Sequence, residues 1–220
     1  MLSADLISNS IPALQLHDTV SRALQQMDDA DVVHLPVVAD GKYIGLADEA
    51  DLLDVEDENL LLKELDIEWP KPAVNYLEHF LNAVKIASEF KLTVVPVVKE
   101  GDEYVGIITK QQLLSTLSDY TSAAEHGGII VLEMEPRNFS LSEISRIIET
   151  NDAKILHLNT YTDKTTGQLL VSIKLNRNDL QDILASLERY EYNVKHYFGD
   201  NLSEDEMRDN YEHLMNYLSI

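Results

Sequence analysis

Two stretches of the sequence match each other closely: HLPVVADGKYIGLADEADLL over residues 34–53 and VVPVVKEGDEYVGIITKQQLL over residues 94–114. Each has a proline inside an apolar run, a turn with a glycine, a tyrosine, and a second glycine followed by apolar residues. The second copy has one additional residue in its turn. Because one repeat unit of this kind cannot bury its apolar face alone, the tandem predicts a module of two packed copies. Two clefts at their interface would favour small-molecule binding over catalysis.

The two copies predict the same order of local elements. In the first copy, a helix capped by Asp18 precedes strands over residues 32–38 and 43–47, which pair as a hairpin. In the second copy, Glu78 is the predicted cap and the strands cover residues 92–98 and 104–109. A further helix opens after each hairpin. Residues 54–72 between the copies are rich in acids and predict a helix-like connector, which the prolines near its end would stop.

This order of helix, proline-containing strand, turn, strand and helix resembles the cystathionine-β-synthase (CBS) domain. Two copies in tandem resemble the CBS pair, or Bateman module, with the first copy over residues 1–58 and the second over residues 59–122. The resemblance implies a disc-like α/β module that usually dimerises. It also implies that the clefts bind adenosine-containing ligands, so an adenine nucleotide or S-adenosylmethionine is the candidate regulatory ligand.

The same resemblance implies the candidate site residues. In the family, a Thr or Ser after the second glycine often contacts phosphate, and an Asp three residues later holds the ribose hydroxyls. The first copy has Asp48 and Asp51 at these positions, whereas the second has Thr109 and Gln112. The other candidates are four strand residues: Leu35, Pro36, Val95 and Pro96. Since each copy keeps only half of the usual pair, we expect either at least one working cleft, preferably the one with Asp51, or two purely structural interfaces.

The charge of these residues predicts which ligand each copy prefers. Asp48 would repel a phosphate, so its cleft should take adenosine, S-adenosylmethionine or a metal-bridged nucleotide. Thr109 and Lys110 in the second copy should accept a phosphate more readily.

Residues 127–199 predict a second domain with the order β-α-β-β-α-β, a ferredoxin-like plan. This order resembles the ACT domain, and the whole arrangement resembles bacterial acetoin-utilisation-type CBS-ACT regulatory proteins. Phe139 lies nearest the position where an ACT ligand loop usually has glycine, which argues for a structural or dimerising domain over amino-acid binding. Residues 200–220 predict a last amphipathic helix that packs on the chain itself. The expected fold class is therefore α/β (α+β).

Composition excludes several classes of function. With 39 acids against 17 Lys and Arg, the net charge of −22 disfavours nucleic-acid binding. The absence of cysteine excludes disulfides, and neither an apolar run of membrane-spanning length nor a signal peptide is recognisable. No nucleophile, phosphate-loop or metal-ligand motif stands out, so no catalytic or metal-binding residue is predicted.

The sequence therefore predicts a cytoplasmic, non-catalytic regulatory protein. It would sense an adenosine-containing ligand and transmit its binding through homodimer contacts or an unidentified protein partner. The alternative is a ligand-free interaction scaffold of the same architecture.

Overall fold

The computed structural model describes residues 1–199, and the helix predicted over residues 200–220 lies outside the described residues. The chain divides into two compact units, the first formed by Met1–Leu117 and the second beginning at Ser118. No helix of the described part is both long enough and apolar enough to span a membrane.

The first unit contains the two copies, each with a three-stranded sheet and two helices. The first copy consists of β1 (Leu14–Gln15), α1 (Val20–Asp29), β2 (His34–Ala39), β3 (Lys42–Asp48) and α2 (Glu49–Leu53). The second consists of β4 (Val74–Asn75), α3 (Phe80–Glu89), β5 (Val94–Val98), β6 (Tyr104–Thr109) and α4 (Lys110–Tyr120). In both sheets the central strand pairs in parallel with the short first strand and antiparallel with the third. The predicted hairpins are confirmed, and one hydrophobic core runs through both copies.

The two copies are joined by an exchange of short segments at the edges of their sheets. The backbone of Ser8 pairs with Ile107 on β6, with the Ser8 N–H donating over 2.8 Å. In the other direction, the Leu46 N–H on β3 donates to the Pro70 carbonyl oxygen over 2.8 Å. The glycine before each of these strand residues permits the close approach, because a Cβ at Gly45 would overlap Trp69. The second glycine of the repeated motif is therefore a packing requirement of the tandem.

The predicted caps of α1 and α3 are wrong by one residue. Thr19 caps α1 through its hydroxyl oxygen, which accepts from the Arg22 N–H, and His79 caps α3. Asp18 is buried and accepts instead from the backbone N–H of Gln15, over 2.7 Å. The acid before the helix thus stabilises the turn that leads into the helix.

The predicted helix-like connector is also wrong. Between α2 and β4 the only helical element is a short 3₁₀ turn at Leu62–Glu64. The backbone around it pairs with the entry to α1, where the Leu62 N–H donates to Asp18 O and the Val20 N–H donates to Leu60 O. These tertiary hydrogen bonds use backbone N–H and C=O groups that would bond to each other within a helix.

The second unit has the predicted β-α-β-β-α-β order. Its elements are β7 (Ile129–Met134), α5 (Leu141–Glu149), β8 (Ile155–Thr162), β9 (Leu169–Leu175), α6 (Gln181–Arg189) and β10 (Asn193–Phe198). The four strands form an antiparallel sheet in the order β10-β7-β9-β8, and the helices bury Ile144, Ile147 and Ile183 in a separate core. This is the ferredoxin-like plan expected for an ACT-like domain. Phe139 packs against that core, and the absence of amino-acid binding remains a prediction.

Candidate functional site

The candidate site of the first unit is a cleft of about 790 Å³ beside the N-terminus of α4, chosen because two residues of the repeated motif lie in it. Three separate parts of the chain form it: residues 8–11, residues 30–32 after α1, and residues 109–115 at the start of α4, with Thr93 between them. Its volume falls in the range of about 300–1,000 Å³ that is typical of small-molecule sites. Both copies contribute, so the cleft exists only when they are packed together.

Thr109 and Gln112, two of the predicted site residues, lie in this cleft. Thr109 ends β6, and its hydroxyl oxygen accepts a hydrogen bond of 3.1 Å from the backbone N–H of Gln112. A hydroxyl that accepts in this way keeps its own hydrogen for donation. Lys110 is exposed at the same helix start and lines the same cleft. The cleft thus combines a hydroxyl donor, an ammonium group and the partial positive charge of a helix N-terminus.

The matching residues of the first copy have a different environment. Asp48 caps α2, since one carboxylate oxygen accepts from the Ala50 N–H over 2.9 Å. The other carboxylate oxygen lies 3.4 Å from Nε2 of His34. Asp51 is exposed, and among residues 1–199 its carboxylate has no hydrogen bond or ion pair. Of the two acids, Asp51 is therefore the one whose carboxylate remains available to a ligand.

His34 connects the two motifs. Its Nδ1 accepts from the backbone N–H of Thr93 over 3.3 Å and lies 3.0 Å from the Thr93 hydroxyl, while Nε2 faces Asp48. An Nδ1 that accepts from an N–H carries no hydrogen, so the network assigns the neutral tautomer with its hydrogen on Nε2. Burial lowers the pKa of His34, and the Asp48 carboxylate opposes this only in part. Both ring nitrogens of His34 are therefore engaged with residues of the protein itself.

The four predicted strand residues lie beneath the surface. Leu35 and Val95 are fully buried in the core shared by the two copies, and Pro36 and Pro96 beside them are also buried. Their part in ligand binding remains a prediction.

Among the residues of the cleft that sequence reasoning missed are Ser8, Asp31 and Thr93. All three lie outside the repeated motif, and Ser8 and Asp31 are more than seventy residues from Thr109 in the sequence. The one signal that could have pointed to Thr93 is its place directly before the apolar strand of the second copy, where the first copy has Val33. The described residues contain no group of three or more His, Asp and Glu side chains arranged to hold a metal ion.

The chain is similar to the CBS domain family and to parts of two curated proteins. The family model for the CBS domain matches residues 3–58 and 66–119, which together are half of the chain. An inosine-5'-monophosphate dehydrogenase of Korarchaeum cryptofilum is 28% identical over 99 residues, covering 44% of this chain and 20% of that protein. A homoserine O-acetyltransferase of Methanobrevibacter ruminantium is 28% identical over 121 residues, covering 53% of this chain and 24% of that protein. The chain therefore spans a quarter or less of the curated relatives it matches.

A solved structure has a similar fold. The crystal structure of a CBS domain pair/ACT domain protein from Thermotoga maritima superposes with a TM-score of 0.50 at 21% identity, covering 55% of this chain and 98% of that chain.

Proposed function

The chain belongs to the CBS domain family, and we propose that its first unit is a sensor that binds an adenosine-containing ligand in the cleft at Thr109. The observation that carries this proposal is the convergence of polar groups from both copies on one cavity of about 790 Å³. A ligand that bridges the copies would stabilise their packed arrangement, as any ligand specific to the folded state does.

The groups in this cleft favour a ligand with a phosphate. The Thr109 hydroxyl, the Lys110 ammonium group and the N-terminus of α4 all favour an anion beside Thr109, and the one carboxylate among the lining residues is that of Asp31. Gln112 replaces the ribose-binding aspartate of the family, and its amide can both donate to and accept from a ribose hydroxyl. An adenine nucleotide with one or more phosphates is therefore the preferred ligand at this cleft.

The acids of the first copy, Asp48 and Asp51, disfavour a ligand with a phosphate. A carboxylate about 4 Å from a phosphate oxygen costs on the order of 4 kcal/mol at an effective dielectric constant of 20. We therefore propose that the side of the module with Asp48 and Asp51 prefers adenosine or S-adenosylmethionine over a free polyphosphate.

We propose a regulatory role without catalysis. Of the residues that line the Thr109 cleft, only Asp31 and Lys110 are titratable, and neither is placed as a base beside a nucleophile. Binding would be transmitted through self-association of the protein as a homodimer or through a protein partner.

Isothermal titration calorimetry with adenosine, AMP, ATP and S-adenosylmethionine, each with and without magnesium, tests the proposal. We expect AMP binding that Thr109→Val weakens, and adenosine or S-adenosylmethionine binding that Asp51→Ala weakens. A parallel thermal-denaturation series should show stabilisation of about 2.7 kcal/mol for any ligand present at 100 times its Kd. If none of the four compounds binds or stabilises the protein, the ligand-sensor proposal is wrong and the ligand-free scaffold replaces it.

A further inference from the structure

His34 and Thr93 connect the interior of the first unit to the Thr109 cleft. His34 is only 8% exposed, whereas Thr93 is half-buried and lines the cleft. Thr93 lies directly before β5, and its carbonyl oxygen accepts from the Lys110 N–H at the start of α4 over 2.8 Å. A change at the His34 ring therefore reaches the cleft through a single residue.

The hydrogen bonds around Thr93 fix the direction of its hydroxyl hydrogen. The hydroxyl oxygen accepts from the Val33 N–H over 3.2 Å and lies 3.0 Å from Nδ1 of His34. Because Nδ1 accepts from the Thr93 N–H and carries no hydrogen, only the hydroxyl hydrogen can bond Nδ1 to the hydroxyl oxygen. When His34 is neutral, the Thr93 hydroxyl thus donates to the ring and offers the cleft only an acceptor.

Protonation of His34 reverses this contact. The imidazolium has a hydrogen on each nitrogen, so Nδ1 becomes a donor and the Thr93 hydroxyl oxygen becomes its acceptor. The 3.3 Å contact from the Thr93 N–H to Nδ1 is lost, which is part of the cost of protonation. The hydroxyl hydrogen then has no acceptor at the ring and is released toward the cleft. The cleft thereby gains a second hydroxyl donor beside that of Thr109.

We propose that protonation of His34 turns the Thr93 hydroxyl into a donor for an anion in the Thr109 cleft, so that proton binding and anion binding reinforce each other. The inference rests on the proposed function, because it adds a regulatory proton to the same cleft. The positive charge of the imidazolium acts in the same direction as the released hydrogen, since both favour an anion. The coupling is reciprocal, so an anion in the cleft raises the pKa of His34 by the same factor.

Among residues 1–199, three charged side chains contact this network or line the cleft beside it. Burial lowers the pKa of His34, and the Asp48 carboxylate, 3.4 Å from Nε2, opposes this in part. Asp31 and Lys110 line the cleft and have opposite charges, so their effects on an anion oppose each other. His34 is therefore mostly neutral in the unliganded protein at neutral pH, and an anion in the cleft shifts it toward the imidazolium.

The unliganded protein tests the hydrogen-bond arrangement without any ligand. Long-range ¹H–¹⁵N NMR spectroscopy over about pH 5 to 8 reports the tautomer and the pKa of His34. We expect a neutral ring with its hydrogen on Nε2, a pKa below 6.5, and a change in the Thr93 amide shift with the same midpoint. Asp48→Asn removes the carboxylate that favours the imidazolium and should lower this pKa further. A neutral ring with its hydrogen on Nδ1 would overturn the proposal, because the Thr93 hydroxyl would then not donate to it.

Isothermal titration calorimetry of AMP at about pH 5.5 and about pH 7.5 measures the linkage in wild type and in His34→Gln. A phosphate monoester itself titrates near pH 6, and the comparison with the variant removes this contribution. Each unit by which AMP raises the pKa of His34 enlarges the ratio of the two Kd values up to about tenfold. We expect the Kd to fall at least about threefold more in wild type than in His34→Gln as the pH is lowered. Equal ratios in the two proteins would overturn the linkage and leave nucleotide binding intact.

Thr93→Val tests the hydroxyl apart from the charge of the ring. Val33 holds the matching position in the first copy, so the repeated motif accommodates a valine there. The variant should lose most of the gain in AMP affinity at the lower pH, although His34 still titrates. Thr93→Ser is the matched control, because it keeps the hydroxyl, and it should keep the gain. A gain in Thr93→Val as large as in wild type would show that the Thr93 hydroxyl does not bind the anion.

Sulfate distinguishes the anion from the nucleoside, because its charge is constant over this pH range and it has no adenosine group. The NMR titration of His34 is repeated with sodium sulfate and with sodium chloride at the same ionic strength. A His34 pKa that rises in sulfate only supports the switch, and it does so even when no adenosine compound binds and the proposed function is wrong. If neither sulfate nor AMP raises the pKa of His34, the linkage is wrong.

Discussion

The substitution Thr109→Val tests two roles of the Thr109 hydroxyl, one in stabilising the start of α4 and one in binding the ligand. In the unliganded protein the oxygen accepts from the Gln112 N–H at 3.1 Å, a contact at the start of α4 that resembles a helix cap. Loss of such a cap costs about 1 kcal/mol of stability. Valine has nearly the same shape, so little change in packing is added. Urea unfolding of the unliganded protein should therefore show a loss of about 1 kcal/mol.

The same substitution removes a donor from the cleft. A hydrogen bond to a charged group contributes about 1.5–3 kcal/mol, so the Kd for AMP should rise roughly 10- to 150-fold. The small loss of stability leaves almost all of the protein folded, so it cannot account for such a change. Calorimetric titration of AMP into wild type and variant measures the effect.

Thr109→Ser is the matched control, because serine keeps both the acceptor oxygen and the donor hydrogen. It should bind AMP almost as tightly as the wild type. If Thr109→Val loses about 1 kcal/mol of stability and still binds AMP with wild-type affinity, the hydroxyl is only a cap and the phosphate site is wrongly placed.

Three further predictions follow from other contacts. Asp51→Ala should weaken adenosine binding by about 1.5–3 kcal/mol and leave the free energy of unfolding unchanged. The control Asp54→Ala, at an exposed residue nearby, should alter neither quantity. Equal adenosine affinity in wild type and Asp51→Ala would show that Asp51 does not belong to the site. Gly45→Ala should lower the free energy of unfolding in urea by about 1–3 kcal/mol, because the added Cβ would overlap Trp69. An unchanged urea midpoint would contradict the close contact between β3 and the segment at Trp69. Burial lowers the pKa of His34 in the folded state, so the unfolded state binds more protons below pH 6.5 and the free energy of unfolding should fall as the pH drops through that value. His34→Gln should flatten this part of the plot of unfolding free energy against pH. If the plot keeps its slope in the variant, other groups cause the pH dependence.

Much of the fold could be predicted because it depends on local patterns. Alternating apolar residues locate β9 at Leu169–Leu175, and Ser140 caps α5 as its position before an apolar helix stripe indicates. The two hairpins of the repeat follow from apolar runs on either side of a glycine turn. Each of these signals lies within a few residues of the element it predicts.

The errors occurred where another hydrogen-bonding partner, local or distant, replaced the predicted one. Asp18 has the right chemistry for a helix cap but stabilises the preceding turn, and Thr19 caps α1 instead. The acidic connector has helix-forming residues, yet the backbone near Leu62 pairs with the entry to α1. Propensity within a window cannot report a partner that lies more than forty residues away.

The sequence by itself determined the tandem repeat, the hairpin and flanking helices of each copy, the order of elements in the second unit, and the motif positions of Thr109, Gln112, Asp48 and Asp51. Only the tertiary structure decided which of these residues lines a cavity, because the cleft is assembled from segments that come together when the copies exchange their edges. It also decided that Asp48 is engaged by a helix start and by His34, whereas Asp51 has no such partner among residues 1–199. Residue type and spacing are local properties of a chain, but the availability of a side chain depends on what the rest of the fold brings next to it.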